Sequence, residues 1–213
     1  RVAMPAAAVT VTPVALPAFV AAGPKEHAPA WASPSSAEAT GVAGEPEVLG
    51  DRLTLTGSPD MDKLGDAFHH FLAADVPGLD PKHRLEMATG LLKRWGVAGA
   101  IEAEAMLVAG DRLRAWVEKR WPGAKWHREW PIQHRHSTGT IVRGTADLIL
   151  ETKEGYVVID HKTFPGGIEE ARKRAAGYAG QLRTYSEAIV AATGRPVTGT
   201  MIHLPMVGLV VDV

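Results

Sequence analysis

The chain has 213 residues, with 23 Lys and Arg against 24 Asp and Glu and a formal net charge of −1. Hydrophobic residues make up 46% and charged residues 22%, which supports a buried core and excludes a globally basic nucleic-acid coat protein and a charge-driven disordered chain. Having no cysteine, the chain has no structural disulfide, thiolate zinc site or cysteine-ligated iron–sulfur cluster. Apolar runs all fall short of the roughly 18 residues that span a bilayer, so a soluble protein without a membrane partner is expected.

Composition changes near residue 50. Residues 1–50 hold 7 of the 15 prolines, 14 alanines and only 6 charged residues. Proline removes backbone donors and favours extended chain, so this part reads as a linker or surface-hugging arm, with residues 51–213 as the folded domain. Val9-Thr10-Val11-Thr12 alternates and could add a short edge strand. The chain starts with Arg1 rather than Met, and we expect a piece of a longer protein; three prolines before Val20 argue against a signal peptide.

Helical periodicity begins after Ser58-Pro59. Leu64, Phe68, Phe71 and Leu72 share one face of a helix over 61–74, with Asp60 as N-cap. Further helices are expected over 81–95 and 99–120, the last closed by Pro122. Strands follow at 126–133, 140–151 and 156–163, with a tight turn at Lys153-Glu154-Gly155 between the last two. A stripe of Ile168, Ala171, Ala175, Tyr178, Leu182, Tyr185 and Ile189 predicts one long helix over 167–192. Strands at 197–204 and 209–213 end the chain. This order predicts an α/β fold, a mixed central sheet flanked by helices with an N-terminal helical subregion.

The most informative stretch is Gly144-Thr145-Ala146-Asp147, followed on the next strand by Asp160-His161-Lys162-Thr163. Asp147 lies in an otherwise apolar strand, where a carboxylate needs a partner. Asp160 and Lys162 are two apart and leave the same face, and His161 leaves the other. Two carboxylates with a backbone or water oxygen suit Mg²⁺ or Mn²⁺, and a neighbouring lysine can orient water or offset charge on a phosphodiester. Spacing alone leaves a second reading open, a buried Asp–Lys ion pair at a sheet edge.

The set resembles the PD-(D/E)XK nuclease superfamily in its G-x-x-D … D-x-K-T form. Gln181-Leu182-Arg183-Thr184-Tyr185 is similar to the Q-x-x-x-Y motif of the RecB/AddA-type branch. Gly65-Asp66-Ala67-Phe68-His69 resembles its G-x-x-x-H helix, and Glu129-Trp130-Pro131 an E-x-P strand. The matches run in family order over about residues 60–213. His161 stands where a tyrosine is common, on the face away from the site. The lack of cysteine separates the chain from branch members that hold an iron–sulfur cluster.

The resemblance implies a restriction-endonuclease-like core. It implies His69, Asp147 and Asp160 as ligands of Mg²⁺ or Mn²⁺, with the His161 carbonyl adding an oxygen. Lys162 is then the catalytic lysine, and Gln181 and Tyr185 face the site to touch DNA or hold the lysine; for Tyr185 a packing role stays open. Without the motif, His69 would read as a histidine at the rim of the core. His70 points away, and His134 and His136 are expected to be exposed or DNA-facing. Residues 112–143 carry eight Lys or Arg against Glu118 and Glu129, a local excess suited to phosphates. Trp126 and Trp130 lie among them and could stack on bases.

The chain has no phosphate-binding G-x-x-x-x-G-K-[ST] loop. The resemblance implies a metal-dependent DNA exonuclease domain of a bacterial, cytoplasmic ATP-dependent helicase–nuclease acting in end processing and recombination repair. Its helicase motor would lie upstream in the same parent chain, with a possible second helicase–nuclease subunit. The alternative is a catalytically silent nuclease fold that binds DNA or docks a partner.

Overall fold

The structure, a computed structural model, describes residues 30–38, 41–136 and 138–213. Its elements are β1 (Trp31–Ala32), β2 (Glu47–Val48), α1 (Met61–Ala74), α2 (Pro81–Arg94), α3 (Ala103–Arg120), β3 (Lys125–Arg135), β4 (Ile141–Glu151), β5 (Tyr156–His161), α4 (Ile168–Ala176), α5 (Ala179–Thr193), β6 (Val197–Leu204) and β7 (Leu209–Asp212). A mixed sheet in the order β1-β4-β5-β6-β7-β2, with β3 also paired to β4, lies between two helical layers. This is the mixed α/β architecture expected from the element order. The possible strand at Val9–Thr12 lies outside the described residues.

Central strands buried on both faces read as continuous apolar runs, because every residue meets one helical layer or the other. Leu148, Leu150, Val157, Ile159 and Met201 pack against α1, α2 and α3 around Leu64, Phe68, Phe71 and Met106. Ile149, Val158, Ile202, Val211 and their neighbours pack against α4 and α5 around Ala171, Leu182, Tyr185 and Ile189. Fully burying a side chain of Leu or Phe size contributes about 1.5–3 kcal/mol. The sheet is therefore anchored from both sides.

Strand β4 organises the site. Along one edge it pairs with β3 from Lys125↔Glu151 to Arg135↔Ile141. The other edge is shared: β5 takes Leu148 to Glu151, and β1 takes Ile141 and Val142 in parallel. Between them, residues 143–147 have no strand partner on that edge. A Cβ on Gly144 would come within 2.8 Å of the Pro34 ring, so the chain around Pro34 can cover this stretch only where a glycine lies beneath it. Residues 30–38 and 41–50 run along the sheet, Gly44 N–H donating to the Asp212 carbonyl at 2.9 Å and Leu49 N–H to that of Gly208 at 2.7 Å.

Helix α1 starts where predicted, with the Asp60 carboxylate accepting from the N–H groups of Asp62 and Lys63 at 3.1 and 3.2 Å. Helix α3 begins at Ala103 rather than 99. Gly99 has φ 85°, and the Ala100 N–H closes a turn onto the Val97 carbonyl, so the helix waits for Glu102 as its N-cap. The expected helix over 167–192 is two helices. The N–H groups of Gly177 and Tyr178 bond the carbonyls of Arg174 and Ala175, three residues back, which tightens and ends α4 before α5 restarts at Ala179.

A buried carboxylate clamps the three N-terminal helices. Asp75, its side chain 1% exposed, accepts from Arg84 Nε at 2.7 Å and Arg84 Nη2 at 3.0 Å. It also pairs with Arg114, and Asp111 bridges both arginines. Gly110 makes room, since a Cβ there would lie 2.7 Å from Asp75 Oδ2. Removing one partner from such a network leaves uncompensated charge behind. Asp75→Ala should lower stability by about 3 kcal/mol, read as the midpoint of urea unfolding, whereas Asp62→Ala on the exposed side of α1 should move it little.

Candidate active site

The ladder between β4 and β5 stops at Leu148↔Ile159. Beyond it the strands part, and the next inward donor, the His161 N–H, goes to the Asp147 carboxylate at 2.7 Å instead of to a backbone carbonyl. Asp147 thus replaces a missing rung, which accounts for a carboxylate in an apolar strand. Its other partner is His69 of α1, with Nδ1 3.5 Å from Asp147 Oδ2. Gly65, one turn earlier, faces Thr163 just beyond β5, and an added Cβ would stand 3.6 Å from it, an ordinary contact.

Glu129 completes this corner. The register of β3, with Arg128 opposite Leu148 and Trp130 opposite Ala146, sets Glu129 across from Asp147. Its φ of 47° lies in the left-handed region, which costs a non-glycine residue about 1–2 kcal/mol. Donor atoms of His69, Glu129 and Asp147 all lie within 4.8 Å of one another. That is close to the spread of ligand atoms around one divalent cation, and two carboxylates with an imidazole are a donor set such an ion can use. In the sequence Glu129 belongs to a motif without a stated role. The E-x-P pattern is its available signal, and the cross-strand register that gives it a role is not readable from spacing.

Asp160 faces a different set of partners. It is buried, its Oδ2 lies 2.6 Å from Lys162 Nζ, and its Oδ1 accepts from Gln181 Nε2 at 2.7 Å. Gln181 also donates to Tyr185 Oη at 3.3 Å, and the Tyr185 hydroxyl donates to the Thr145 carbonyl at 2.7 Å. Thr145 belongs to the unpartnered edge of β4, so Tyr185 satisfies a carbonyl that the parted ladder leaves open. Tyr185 is both packed in the core and hydrogen-bonded at the site, which joins the two readings of its role.

Electrostatics separate the two aspartates. For Asp147, burial works against ionisation but is outweighed by the hydrogen bond and charge of His69, and its pKa falls. For Asp160, burial and then the Asp147 charge push the pKa up, against the pull of Lys162. Burial and the charge of Asp147 also raise Glu129. Burial would lower His69 and Lys162, yet the adjoining carboxylates raise both. The corner therefore gathers more negative charge than its own cations offset, a setting that favours a divalent cation.

His161 contributes its backbone here, and its ring leaves the face of β5 opposite Asp160 and Lys162, with its centroid 6.0 Å from that of the His69 ring. The ring is buried, its Nδ1 lies 3.0 Å from His203 Nδ1 on β6, and burial pushes its pKa down to about 3. His203 is likewise lowered by burial, so the pair is neutral, one ring donating and the other accepting. His70 bonds the Asp66 carbonyl through Nδ1 at 2.9 Å and, with His69 and Glu129, lines a hollow beside the site. His134 is half-buried and His136 exposed, with Nδ1 3.0 Å from Thr138 Oγ1.

The basic stretch is partly used by the fold. Arg112 donates to the Asp51 carbonyl at 2.5 Å, Arg114 serves the Asp75 clamp, and Arg120 pairs with Glu47 at 3.0 Å. Arg128 lies over the half-buried Trp126 ring at 4.6 Å. Trp130 remains 46% exposed beside Glu129. A cleft of about 840 Å³ opens onto the site, lined in part by Gly65, His69, Lys162, Phe164, Arg174 and Tyr178.

Residues 48–209 match the PD-(D/E)XK nuclease superfamily. The chain belongs to that superfamily. It is also 29% identical over 159 residues to an ATP-dependent helicase/nuclease subunit of Desulforudis audaxviator (strain MP104C), a match that covers 70% of this chain and 12% of that protein. The likeness supports the RecB/AddA-type branch within the superfamily. None of the described helices is long and apolar enough to cross a membrane.

Mn²⁺ should bind the folded protein, as followed by the loss of free-ion electron paramagnetic resonance signal. His69→Ala and Glu129→Gln should each weaken that binding at least about tenfold while leaving the circular dichroism spectrum unchanged.

Proposed function

We propose that this chain is a metal-dependent DNA exonuclease domain of an ATP-dependent helicase–nuclease that acts in DNA end processing and recombination repair. The observation that carries the reading is the convergence of Asp147, Asp160 and Lys162 where β4 and β5 part, beside His69 and Glu129. In this reading His69, Asp147 and Asp160 hold Mg²⁺ or Mn²⁺, with Glu129 and the His161 carbonyl as further ligands. A bound divalent cation supplies Lewis acidity, lowering the pKa of water and offsetting charge on the phosphate.

The chain's own groups do the remaining work. Lys162 orients the attacking water and offsets charge developing on the phosphodiester oxygens. Gln181 fixes the Asp160 carboxylate through Oδ1, leaving Oδ2 toward Lys162. Tyr185 ties Gln181 to the β4 edge. DNA follows the cleft past Lys162 and His69.

The chain spans 12% of the helicase/nuclease relative. We place the helicase motor elsewhere in the parent chain, with residues 1–50 as the arm or tether and 51–213 as the nuclease. The partners in this reading are DNA and a possible second helicase–nuclease subunit, and the compartment is the cytoplasm.

The test is nucleotide release from linear single- and double-stranded DNA with Mg²⁺ or Mn²⁺. Wild type should release nucleotides progressively, and Lys162→Ala and Asp160→Ala should each lower the rate at least about 100-fold, an effect of the size seen for groups acting directly in general acid–base or electrostatic catalysis. DNA binding without cleavage by wild type, in this chain and in the longer protein, would favour the silent docking module.

A further inference from the structure

We propose that Tyr178 is a positioning residue whose ring face holds the Lys162 ammonium beside Asp160. This rests on the nuclease reading of Lys162.

The lysine needs such a restraint. Its side chain has four rotatable carbons and is 24% exposed at the cleft, and β5 ends one residue before it, at His161. Its Nζ lies 2.6 Å from Asp160 Oδ2 and 4.9 Å from the centroid of the Tyr178 ring. A single ion pair fixes a distance and leaves a cone of directions. A ring face at a second point removes most of that cone and leaves one N–H direction for the cleft. Cation–π contacts strengthen as the pair is withdrawn from water, and both groups are partly buried.

The break in the helix serves this contact. In one continuous helix, Tyr178 would join the stripe of Ala171, Ala175, Leu182 and Tyr185 in the core. Instead the chain tightens at Gly177, Tyr178 takes φ −99° and ψ −1°, and its ring packs partly against the core and partly lines the cleft. Gly177 is exposed, and a Cβ there would approach the Arg174 carbonyl at 3.1 Å. Because α5 restarts at once, Gln181 and Tyr178 flank the Asp160–Lys162 pair from one side, Gln181 on the carboxylate and Tyr178 on the ammonium.

The experiment replaces the ring and then tunes it. Tyr178→Leu should lower kcat for DNA cleavage about tenfold with KM within twofold of wild type, while Tyr178→Phe should restore kcat to within about threefold. Fluorinated phenylalanines at 178 drain the ring face without changing its shape, and kcat should fall stepwise with each added fluorine. Equal rates across that series with a low rate for Leu would mean that the ring only packs, and would overturn the proposal. A rise in KM with kcat unchanged would overturn it too, by making Tyr178 a substrate contact. Should wild type cleave nothing, the nuclease reading falls by itself. The contact is then judged by the ring-current shift of the Lys162 ε-methylene protons, expected in wild type and Tyr178→Phe and lost in Tyr178→Leu; its absence from wild type would refute the contact.

Discussion

Everything at the site depends on one hydrogen bond that takes the place of a β-ladder rung, from the His161 N–H to the Asp147 carboxylate. A sheet that parts leaves donors and acceptors without partners, and in a buried position each would cost about 1–3 kcal/mol. Here the donor on β5 finds Asp147 and the Thr145 carbonyl on β4 finds Tyr185. The opening is thus satisfied by side chains that also define the site. The carboxylate that seals the gap is held ionised by His69, and the one beyond it, Asp160, must be held by a lysine and an amide.

That arrangement explains the division of labour among the acidic groups. Asp147 and Glu129 gather with His69 at one corner, and Asp160 leans to Lys162 and Gln181 at the other. Both corners sit at the end of the same short stretch of β4, which has β3 on one edge and no strand on the other. The charge imbalance is local: the chain as a whole is nearly neutral, and several arginines of its basic stretch are bound up with Asp75, Glu47 and a backbone carbonyl.

Much of this is legible in the sequence, and the rest is hidden for identifiable reasons. The stripe of Leu64, Phe68, Phe71 and Leu72 locates α1 with its cap, because periodicity and an N-cap are local signals. The same reasoning fails at Gly177–Tyr178, where every residue of the stripe fits a continuous helix and the break lies in two short-range hydrogen bonds. Asp147, Asp160 and Lys162 stand out because charge in an apolar strand is conspicuous. Glu129 does not, since its importance comes from facing Asp147 across β3 and β4. Likewise Trp31–Ala32 carries no strand signal of its own; it is a strand because β5 leaves that part of the β4 edge free.

The two hydrophobic layers on either side of the sheet have a consequence for how the protein acquires its chemistry. His69 is carried by the layer of α1, α2 and α3, whereas Gln181, Tyr185 and Tyr178 are carried by α4 and α5. Gln181 and Asp160 are 21 residues apart and Tyr185 and Thr145 are 40 apart, whereas His69 and Asp147 are farther apart still, so loop-closure entropy favours docking of α4 and α5 on the strands before α1. A chain with only that C-terminal layer docked would hold Asp160 and leave Asp147 without His69. Completion of the site is therefore coupled to docking of the N-terminal helices.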